Sequence, residues 1–252
     1  LAGLPVNINE LYAIANQHRL RVIEDAAQAL GSTWNGKRIG AKGQHDLVSF
    51  SFQANKNLTT IEGGCLVFNT ERYGTDQVKL AEKLRLQGLV RSGPDGMEVD
   101  VLGGKDNLTD VNAVIGLYQL RQLEQFQNKR AMLAKYYFDK INQTNLVNKG
   151  VCLPVANFEN SNWHMFQIIL PLQSLGKTRS QVMLALKELG IGTGVHYPII
   201  TNFELYRRLG YSPDSTPIAA EIGRSILTLP LFPSMSTADI DRVISGLEVV
   251  LA

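Results

Sequence analysis

A carboxylate and an amine follow two apolar segments of the chain. Asp25 closes the segment 21–24, and Lys56 lies five residues after Ser51, near the end of the second segment, 47–52. A lysine amine can form an imine with an aldehyde, and a carboxylate beside a protonated ring nitrogen stabilises the positive charge of the ring. These two side chains are therefore candidates for binding pyridoxal 5′-phosphate (PLP), a cofactor that carries both an aldehyde and a pyridine ring.

Small and polar residues accompany this pair. Ala27 leaves room for a flat ring against the backbone, Gln28 can donate a hydrogen bond to a phenolate oxygen, and Ser51 offers a hydroxyl to a phosphate group. Ligands of open α/β sheets bind at the carboxyl ends of the strands, which is where these residues are predicted to lie. An aspartate after a strand and a lysine in a loop also serve capping and solvation, so spacing alone leaves both interpretations open.

Strands and helices are predicted to alternate on both sides of these residues. Asn35-Gly36 predicts a β-hairpin turn, Asn7 and Ser236 have the position of helix N-caps, and Gly190 has that of a helix C-cap. The predicted strands are 20–25, 47–52, 65–68, 164–170 and 194–197, with an extended piece at 226–232; the predicted helices are a short one after Asn7 and those at 75–87, 109–124, 126–142, 179–189 and 237–250.

Two glycine-rich stretches need separate interpretation. Residues 91–107 are too many for a plain connection and form a candidate functional loop, in which Arg91 could contact a partner subunit or a nucleotide diphosphate. Residues 190–194 (GIGTG) are similar in composition to a dinucleotide-binding fingerprint. They follow a predicted helix and precede a predicted strand, which is the reverse of the order that directs a helix N-terminus at a pyrophosphate. We therefore do not interpret them as a dinucleotide-binding site.

Composition argues against several classes of function. The 252 residues are 44% hydrophobic and 19% charged with a net charge of +2, so the chain can bury a core and does not suggest an obligate nucleic-acid partner. Cys65 and Cys152 have no paired spacing and the four histidines have no metal-ligand spacing, so we expect neither a disulfide framework nor a metal site. No apolar run is long enough to cross a bilayer, and we expect a soluble cytoplasmic protein.

Five segments, in order, resemble one known family. They are VIEDAAQALG at 22–31, SFSFQANKNLTTIEGG at 49–64, NLTD at 107–110, GTGVHY at 192–197 and LPLFP at 229–233. Together they resemble the DegT/DnrJ/StrS family of sugar aminotransferases. Because the matching motifs occur in the same order over nearly the whole chain, the resemblance is specific.

The resemblance implies a role for each candidate residue. Lys56 matches the lysine that forms the Schiff base with PLP, and Asp25 matches the partner of the pyridinium nitrogen. Ala27 matches the small residue under the ring, Gln28 the contact to the ring oxygen, and Ser51 a phosphate ligand. The cofactor implied by this match is pyridoxal 5′-phosphate.

The fold, the reaction and the partners are also implied by the resemblance. Members are fold-type I PLP-dependent transferases, so residues 1–125 would be the remainder of the large mixed-sheet domain that binds PLP, and 126–252 a smaller C-terminal α+β domain. They are usually homodimers with shared active sites, and they commonly transfer an amino group from L-glutamate to a keto group of a nucleotide-linked deoxy sugar. Residues 62–64 are typical, by resemblance, of amination at the 4-position of the sugar.

Three departures from the family pattern concern the site. Gln53 stands where the family often has a histidine. Lys105 stands where it often has an asparagine that reaches the phosphate in the partner subunit; Lys105 could bind this phosphate by its charge or be an exposed loop lysine. Members also carry an earlier segment with a Gly-Ser/Thr phosphate-binding turn and an aromatic residue stacked on the ring. Since the chain starts at Leu1 and not at methionine, we expect such a segment to precede it.

The remaining histidines and one tyrosine have less specific interpretations. His196 and Tyr197 lie where the family tends to place groups near the sugar nucleotide, and the alternative for His196 is a structural role. His164 is expected to serve packing or a domain interface, and His45 to lie in a loop without chemistry.

Two functions remain open beside the aminotransferase. One is a PLP-dependent sugar dehydratase of the same family; such members tend to have histidine in place of the lysine, so Lys56 argues against it. The other is a catalytically silent protein that binds sugar nucleotides or has a regulatory role, which would agree with the lack of the earlier segment.

Overall fold

The computed structural model describes residues 1–43 and 45–252. The described chain contains both helices and strands, and two short 3-10 helices follow Ile199 and Ser212. The helices are α1 Ile8–Gln17, α2 Thr70–Tyr73, α3 Thr75–Arg85, α4 Asp110–Leu120, α5 Leu123–Ile141, α6 Leu172–Leu175, α7 Arg179–Glu188, α8 Glu204–Arg208, α9 Pro217–Ser225 and α10 Thr237–Val250; the strands are β1 Ile23–Asp25, β2 Thr33–Trp34, β3 Lys37–Arg38, β4 Leu47–Ser51, β5 Gly64–Phe68, β6 Leu89–Arg91, β7 Met97–Val99, β8 Phe166–Ile169 and β9 Ile226–Leu229.

The chain forms two compact units. Unit 1 contains Leu1, Gly3–Phe126 and Glu159–Asn162, and unit 2 contains the other described residues. The short segment Glu159–Asn162 joins unit 1 through contacts such as the hydrogen bond from the Asn162 side chain to the carbonyl of Leu30 (3.0 Å). Nothing in the sequence pattern indicates that residues 159–162 pack with residues 3–126. The assignment of 1–125 and 126–252 as a cofactor-binding domain and a small domain stays a prediction.

A three-stranded sheet, in the order β1-β4-β5, lies at the centre of unit 1. β1 and β4 are parallel, with Asp25 opposite Ser49, whereas β4 and β5 are antiparallel, with Ser51 opposite Gly64. β1 begins at Ile23, later than the predicted start at residue 20, because Ile23 pairs with Leu47, the first residue of β4, and residues 20–22 have no strand partner there.

One face of this sheet is buried and the other is open. Val48 (0% exposed) and Phe50 (8%) pack with Ala26 and Ile39 in the core of unit 1. Since successive side chains of a strand point to opposite faces, the residues between these positions lie on the other face. The hydrophobic core therefore fixes the direction in which the polar residues of β4 point.

Several local predictions are confirmed by the structure. Asn35 and Gly36 have φ of 50° and 73°, as a two-residue hairpin turn between β2 and β3 requires. Asn7 caps α1 by accepting a hydrogen bond from the amide of Glu10 (3.3 Å), and Ser236 caps α10. α7 ends just before Gly190, whose φ of 72° is typical of a glycine that terminates a helix.

Two local predictions are wrong. The segment 91–107, predicted as a candidate functional loop, is not loop throughout: it contains β7, which pairs with β6 in an antiparallel hairpin around the turn 92–96. The segment 194–197 is not a strand; it makes a single bridge, between Gly194 and Thr228 of β9. Pro198 follows this segment and has no N–H group with which a ladder could continue.

Unit 2 has its own core, built around the antiparallel pair β8–β9. α5, α7 and α10 contribute its apolar side chains, and the ring of Tyr137 stacks on that of Phe166 with centroids 4.7 Å apart. The hydroxyl of Tyr137 donates a hydrogen bond to the carbonyl of Pro230 (2.8 Å). None of the described helices is long and apolar enough to cross a membrane.

Arg130 of α5 is a charged residue in this core, 8% exposed. One of its terminal nitrogens lies within hydrogen-bond distance of three carbonyl oxygens, those of Trp163 (3.4 Å), His164 (3.3 Å) and Leu231 (2.9 Å). Burial lowers the pKa of Arg130 to about 10, so the side chain stays protonated at neutral pH. Arg130 thus donates to backbone carbonyls just before β8 and just after β9, in residues that are themselves buried.

Replacing Arg130 with methionine is expected to lower the free energy of unfolding by roughly 2–3 kcal/mol, because buried carbonyls would lose their donor. Urea unfolding followed by the fluorescence of buried Trp163 would measure the change. Arg224→Met, at an exposed position of α9, is the matched control. A loss equal to that of the control would show that these carbonyls do not depend on Arg130.

Candidate functional site

Asp25 is the last residue of β1, and its side chain is exposed on the open face of the sheet. One carboxylate oxygen accepts a hydrogen bond from the backbone amide of Ala27 (3.0 Å). The other oxygen has no hydrogen-bond partner among residues 1–43 and 45–252. The turn after β1 therefore fixes the orientation of the carboxylate and leaves one oxygen available to a ligand.

Ser51 lies at the same edge and on the same face as Asp25. Asp25 pairs with Ser49 in parallel register, and Ser51 is two residues further along β4. Side chains two residues apart share a face, so the three side chains point to the same side of the sheet. The hydroxyl of Ser51 accepts a hydrogen bond from the amide of Gln53 (3.3 Å), which leaves its proton free for donation to a ligand.

Lys56 follows Ser51 in a tight turn. Its backbone amide donates to the carbonyl of Gln53 (3.0 Å), and its side chain is half-buried. In the described part of the chain, no carboxylate or other acceptor binds its ammonium group. Lys56 thus has the availability that a covalent attachment site needs.

A loop of unit 1 presents Lys56, and we call residues 52–63 the lysine loop. The carbonyl of Phe52 accepts hydrogen bonds from the amide of Thr60 (2.8 Å) and the hydroxyl of Thr59 (3.1 Å), and its amide donates to the carbonyl of Gly63 (2.8 Å). These bonds close the loop at its base, directly after Ser51. The lysine therefore projects from a short closed loop that begins where β4 ends.

The structure shows only burial and backbone contacts for the other predicted cofactor contacts of unit 1. Ala27 and Gln28 are half-buried and follow Asp25 directly; the carbonyl of Gln28 accepts a hydrogen bond from the side chain of Asn162 (2.8 Å). Lys105 is exposed and pairs through its backbone with Leu86, just after α3. The roles of all three in cofactor binding stay predictions.

His196 and Tyr197 belong to unit 2. The Nδ1 atom of His196 lies 2.9 Å from the hydroxyl of Thr228, and its carbonyl accepts a hydrogen bond from the Gln167 side chain. These contacts tie His196 to β8 and β9 and agree with a structural role. Tyr197 is 51% exposed. His164 is buried, in keeping with a packing role, and contact of His196 and Tyr197 with a substrate remains a prediction.

A buried polar network on the opposite face of β1 was not found from the sequence. The carboxylate of Glu24 accepts a hydrogen bond from the hydroxyl of Tyr12 and lies 2.7 Å from Nδ1 of His45. Burial, followed by the hydrogen bond to Glu24, raises the pKa of Tyr12. His45, expected in an inert loop, thus anchors the residue next to Asp25. Within residues 1–43 and 45–252, no group of three or more potential ligands could hold a metal ion.

Contacts from α4 to the lysine loop were also not predicted from the sequence. The side-chain oxygen of Gln119 accepts a hydrogen bond from the amide of Thr59 (3.0 Å), and the Asn112 side chain donates to the carbonyl of Glu62 (3.3 Å). Gln119 and Thr59 are 60 positions apart, so no local sequence signal could have revealed their contact.

Comparison with known proteins gives one family and several similar structures. A family model described as the DegT/DnrJ/EryC1/StrS aminotransferase family matches residues 1–248. Spr1654 from Streptococcus pneumoniae, solved in a PMP form, is 24% identical with a TM-score of 0.89; the match covers 100% of this chain and 67% of that one. S. venezuelae DesV, in complex with a ketimine intermediate, is 28% identical with a TM-score of 0.82, covering 99% and 63%.

DesI, solved in the presence of its TDP-sugar product, is 24% identical with a TM-score of 0.81, and the match covers 99% of this chain and 60% of that one. The chain therefore spans about two thirds of the length of the solved proteins to which it is similar.

Proposed function

The chain belongs to the DegT/DnrJ/EryC1/StrS aminotransferase family. On this premise we propose that it acts as a PLP-dependent aminotransferase. The proposed reaction transfers an amino group from L-glutamate to the keto group of a nucleotide-linked deoxy sugar. The TDP-sugar product of DesI and the ketimine complex of DesV support this class of substrate and chemistry by similarity.

One observation carries the proposal: an available carboxylate, hydroxyl and amine follow two adjacent parallel strands. Asp25 and Ser51 share one face and one edge of the β1–β4 pair, and Lys56 lies in the turn after β4. Each side chain has a hydrogen-bond donor or acceptor that no described residue binds. This set of donors and acceptors fits a group with a ring nitrogen, a phosphate and an aldehyde.

The side chains would divide the work of binding among themselves. Lys56 would hold the cofactor covalently, Asp25 would keep its negative charge beside the ring nitrogen, and Ser51 would donate a hydrogen bond to the phosphate. Ala27 would leave space for the ring, and Gln28 would donate to the ring oxygen. When bound, PLP supplies an aldehyde that captures amines and a ring that withdraws electrons.

The same residues would act during the reaction. The amine of Lys56, once released by the incoming amine of L-glutamate, would take the proton from the Cα atom of the donor as a general base. Asp25 would act electrostatically, its negative charge stabilising the positive charge of the ring nitrogen beside it. Water would release the rest of the donor as 2-oxoglutarate, and the keto sugar would then receive the amino group through the same steps in reverse order, with loss of water.

Three further assignments are part of the proposal. Lys105 would contact the phosphate in the partner subunit, and His196 and Tyr197 would lie near the sugar nucleotide. A homodimer would supply such shared sites. Val111 and Tyr118 of α4 are 74% and 67% exposed, which is the kind of apolar surface that a second copy would cover.

Mass spectrometry after borohydride reduction tests the proposed function. Protein incubated with PLP is expected to gain one pyridoxyl group, and peptide mapping is expected to find it on Lys56. Pretreatment with L-glutamate should remove most of this label, because the amine of Lys56 is then released. A protein that binds PLP without labelling Lys56, or whose label is insensitive to L-glutamate, would contradict the proposal and favour the catalytically silent alternative.

A further inference from the structure

The lysine loop has a neck, formed by Phe52 on one side and by Thr59 and Thr60 on the other. The carbonyl of Phe52 accepts from the Thr60 amide and the Thr59 hydroxyl, and the amide of Ile61 donates to that same hydroxyl oxygen (2.8 Å). Residues 53–58, including Lys56, lie between the two sides. The position of the lysine therefore depends on how well this neck is held.

α4 holds the neck from outside. The Gln119 side-chain oxygen accepts the hydrogen bond of the Thr59 amide (3.0 Å), and the Asn112 side chain donates to the carbonyl of Glu62 (3.3 Å). Asn112, Gly116 and Gln119 are spaced by four and three residues, so they occupy one face of the helix. One helical face thus contacts the loop at two points, one on each side of Thr60.

Gly116 makes the close approach possible. A Cβ atom added there would lie 2.7 Å from the Cγ2 atom of Thr60 and 4.0 Å from Leu58, and the first distance is too short for any side chain. Thr60 is 2% exposed, so it has little room to move away. α4 therefore packs closely against the loop at Gly116, which lies between Asn112 and Gln119 on the helix.

The bond to Gln119 has no substitute within the described residues. The amide of Thr59 has no other acceptor there, and the residue is half-buried, so loss of the side-chain oxygen would leave a poorly hydrated donor. Loops are the most mobile part of a fold, and small displacements of a reacting group cost rate steeply. The neck is the point at which a side chain from a rigid helix can limit this mobility.

We propose that Gln119 is a positioning residue for Lys56: by accepting the Thr59 amide, it fixes the neck of the lysine loop and thereby the place of the lysine amine. This inference rests on the proposed function for its catalytic consequence. Its structural part concerns the loop alone and can be tested in protein without cofactor.

Hydrogen exchange and steady-state kinetics of three variants test the inference. Gln119→Met keeps the length of the side chain but removes the acceptor, Gln119→Glu restores an acceptor oxygen, and Gln125→Met makes the same change at an exposed position of α5. In Gln119→Met, amide exchange over residues 57–62 should accelerate about 10-fold without cofactor. With PLP bound, kcat should fall about 10-fold with KM unchanged within twofold.

Gln119→Glu should recover most of both losses, and Gln125→Met should match the unsubstituted protein. Unchanged exchange over 57–62 in Gln119→Met, or equal losses in Gln119→Met and Gln119→Glu, would overturn the inference. An unsubstituted protein that fails to label Lys56 with pyridoxyl would refute the proposed function instead, and the exchange rates would still decide whether Gln119 holds the loop.

Discussion

Replacement of Lys56 by alanine is expected to abolish the covalent attachment of PLP and to lower turnover by about 10⁴-fold or more. Two functions of the side chain would be lost together, the bond that holds the cofactor and the base that moves the proton. General acid–base catalysis alone typically contributes about 10²–10⁴-fold. Loss of the covalent step adds to this, because attachment splits a difficult reaction into easier ones.

The expected loss belongs to the chemistry and not to the fold. Lys56 is half-buried in a turn, and no described residue binds its ammonium group, so its removal breaks no ion pair. The backbone bond from its amide to the carbonyl of Gln53 is available to alanine as well. We therefore expect the thermal unfolding temperature of Lys56→Ala to stay within a few degrees of that of the unsubstituted protein.

Three measurements check this prediction: the imine absorption band, the pyridoxyl label after borohydride reduction, and single-turnover rates with L-glutamate. Lys37→Ala, at an exposed position of β3, is the matched control and should retain all three. Retention of the imine band in Lys56→Ala would assign the attachment to another lysine and end the proposed role of Lys56.

The sequence was informative where the function depends on local order. Asp25 and Ser51 are the last residues of their strands and Lys56 follows β4 by five residues, and strands are recognisable by their apolar side chains. The alternation of Val48 and Phe50 with polar residues also predicts which side of β4 faces the core. The family motifs added the roles of these residues, since chemistry cannot be deduced from spacing alone.

The sequence was silent where the function depends on distant contacts. Gln119 lies on an apolar helix and does not differ in sequence from any exposed glutamine; only the folded chain brings it to Thr59. The same is true of Glu24 and His45, which pair across β1 and the start of β4. Such contacts are selected by tertiary packing, which propensity and periodicity do not encode.

Errors in the predicted strands have a related cause. Residues 194–197 are extended in pattern, but a strand needs a neighbour with matching free groups, and only Thr228 provides one. Conversely, β6 and β7 are only three residues long each and β7 is exposed throughout, so they lack the alternation that marks a half-buried strand. Ser92-Gly93-Pro94-Asp95-Gly96 between them is a turn sequence and was the available signal for the hairpin.

Asp25→Asn is expected to leave PLP attached to Lys56 and to lower turnover by about 10²–10³-fold, the usual cost of removing one preorganised electrostatic contact. Asparagine keeps an oxygen that can accept the amide of Ala27, as Asp25 does at 3.0 Å, so the turn after β1 should be unchanged. The substitution therefore removes the charge and little else. Without a negative charge beside it, the ring nitrogen holds its proton less well, and the ring withdraws electrons less strongly.

This distinction between charge and geometry gives the experiment its controls. Asp25→Glu keeps the charge but moves it, and should recover part of the rate, whereas Asp76→Asn, at an exposed position of α3, should have no effect. The rate of proton removal from deuterated L-glutamate would report the step that depends on the charge. If Asp25→Asn lost the pyridoxyl label as well as the rate, Asp25 would serve to bind the cofactor and not to tune it; if it kept full rate, the carboxylate would not lie at the ring nitrogen. The proposed site requires the intermediate outcome, because an aspartate that is held by Ala27 on one oxygen and available on the other is built to act through its charge.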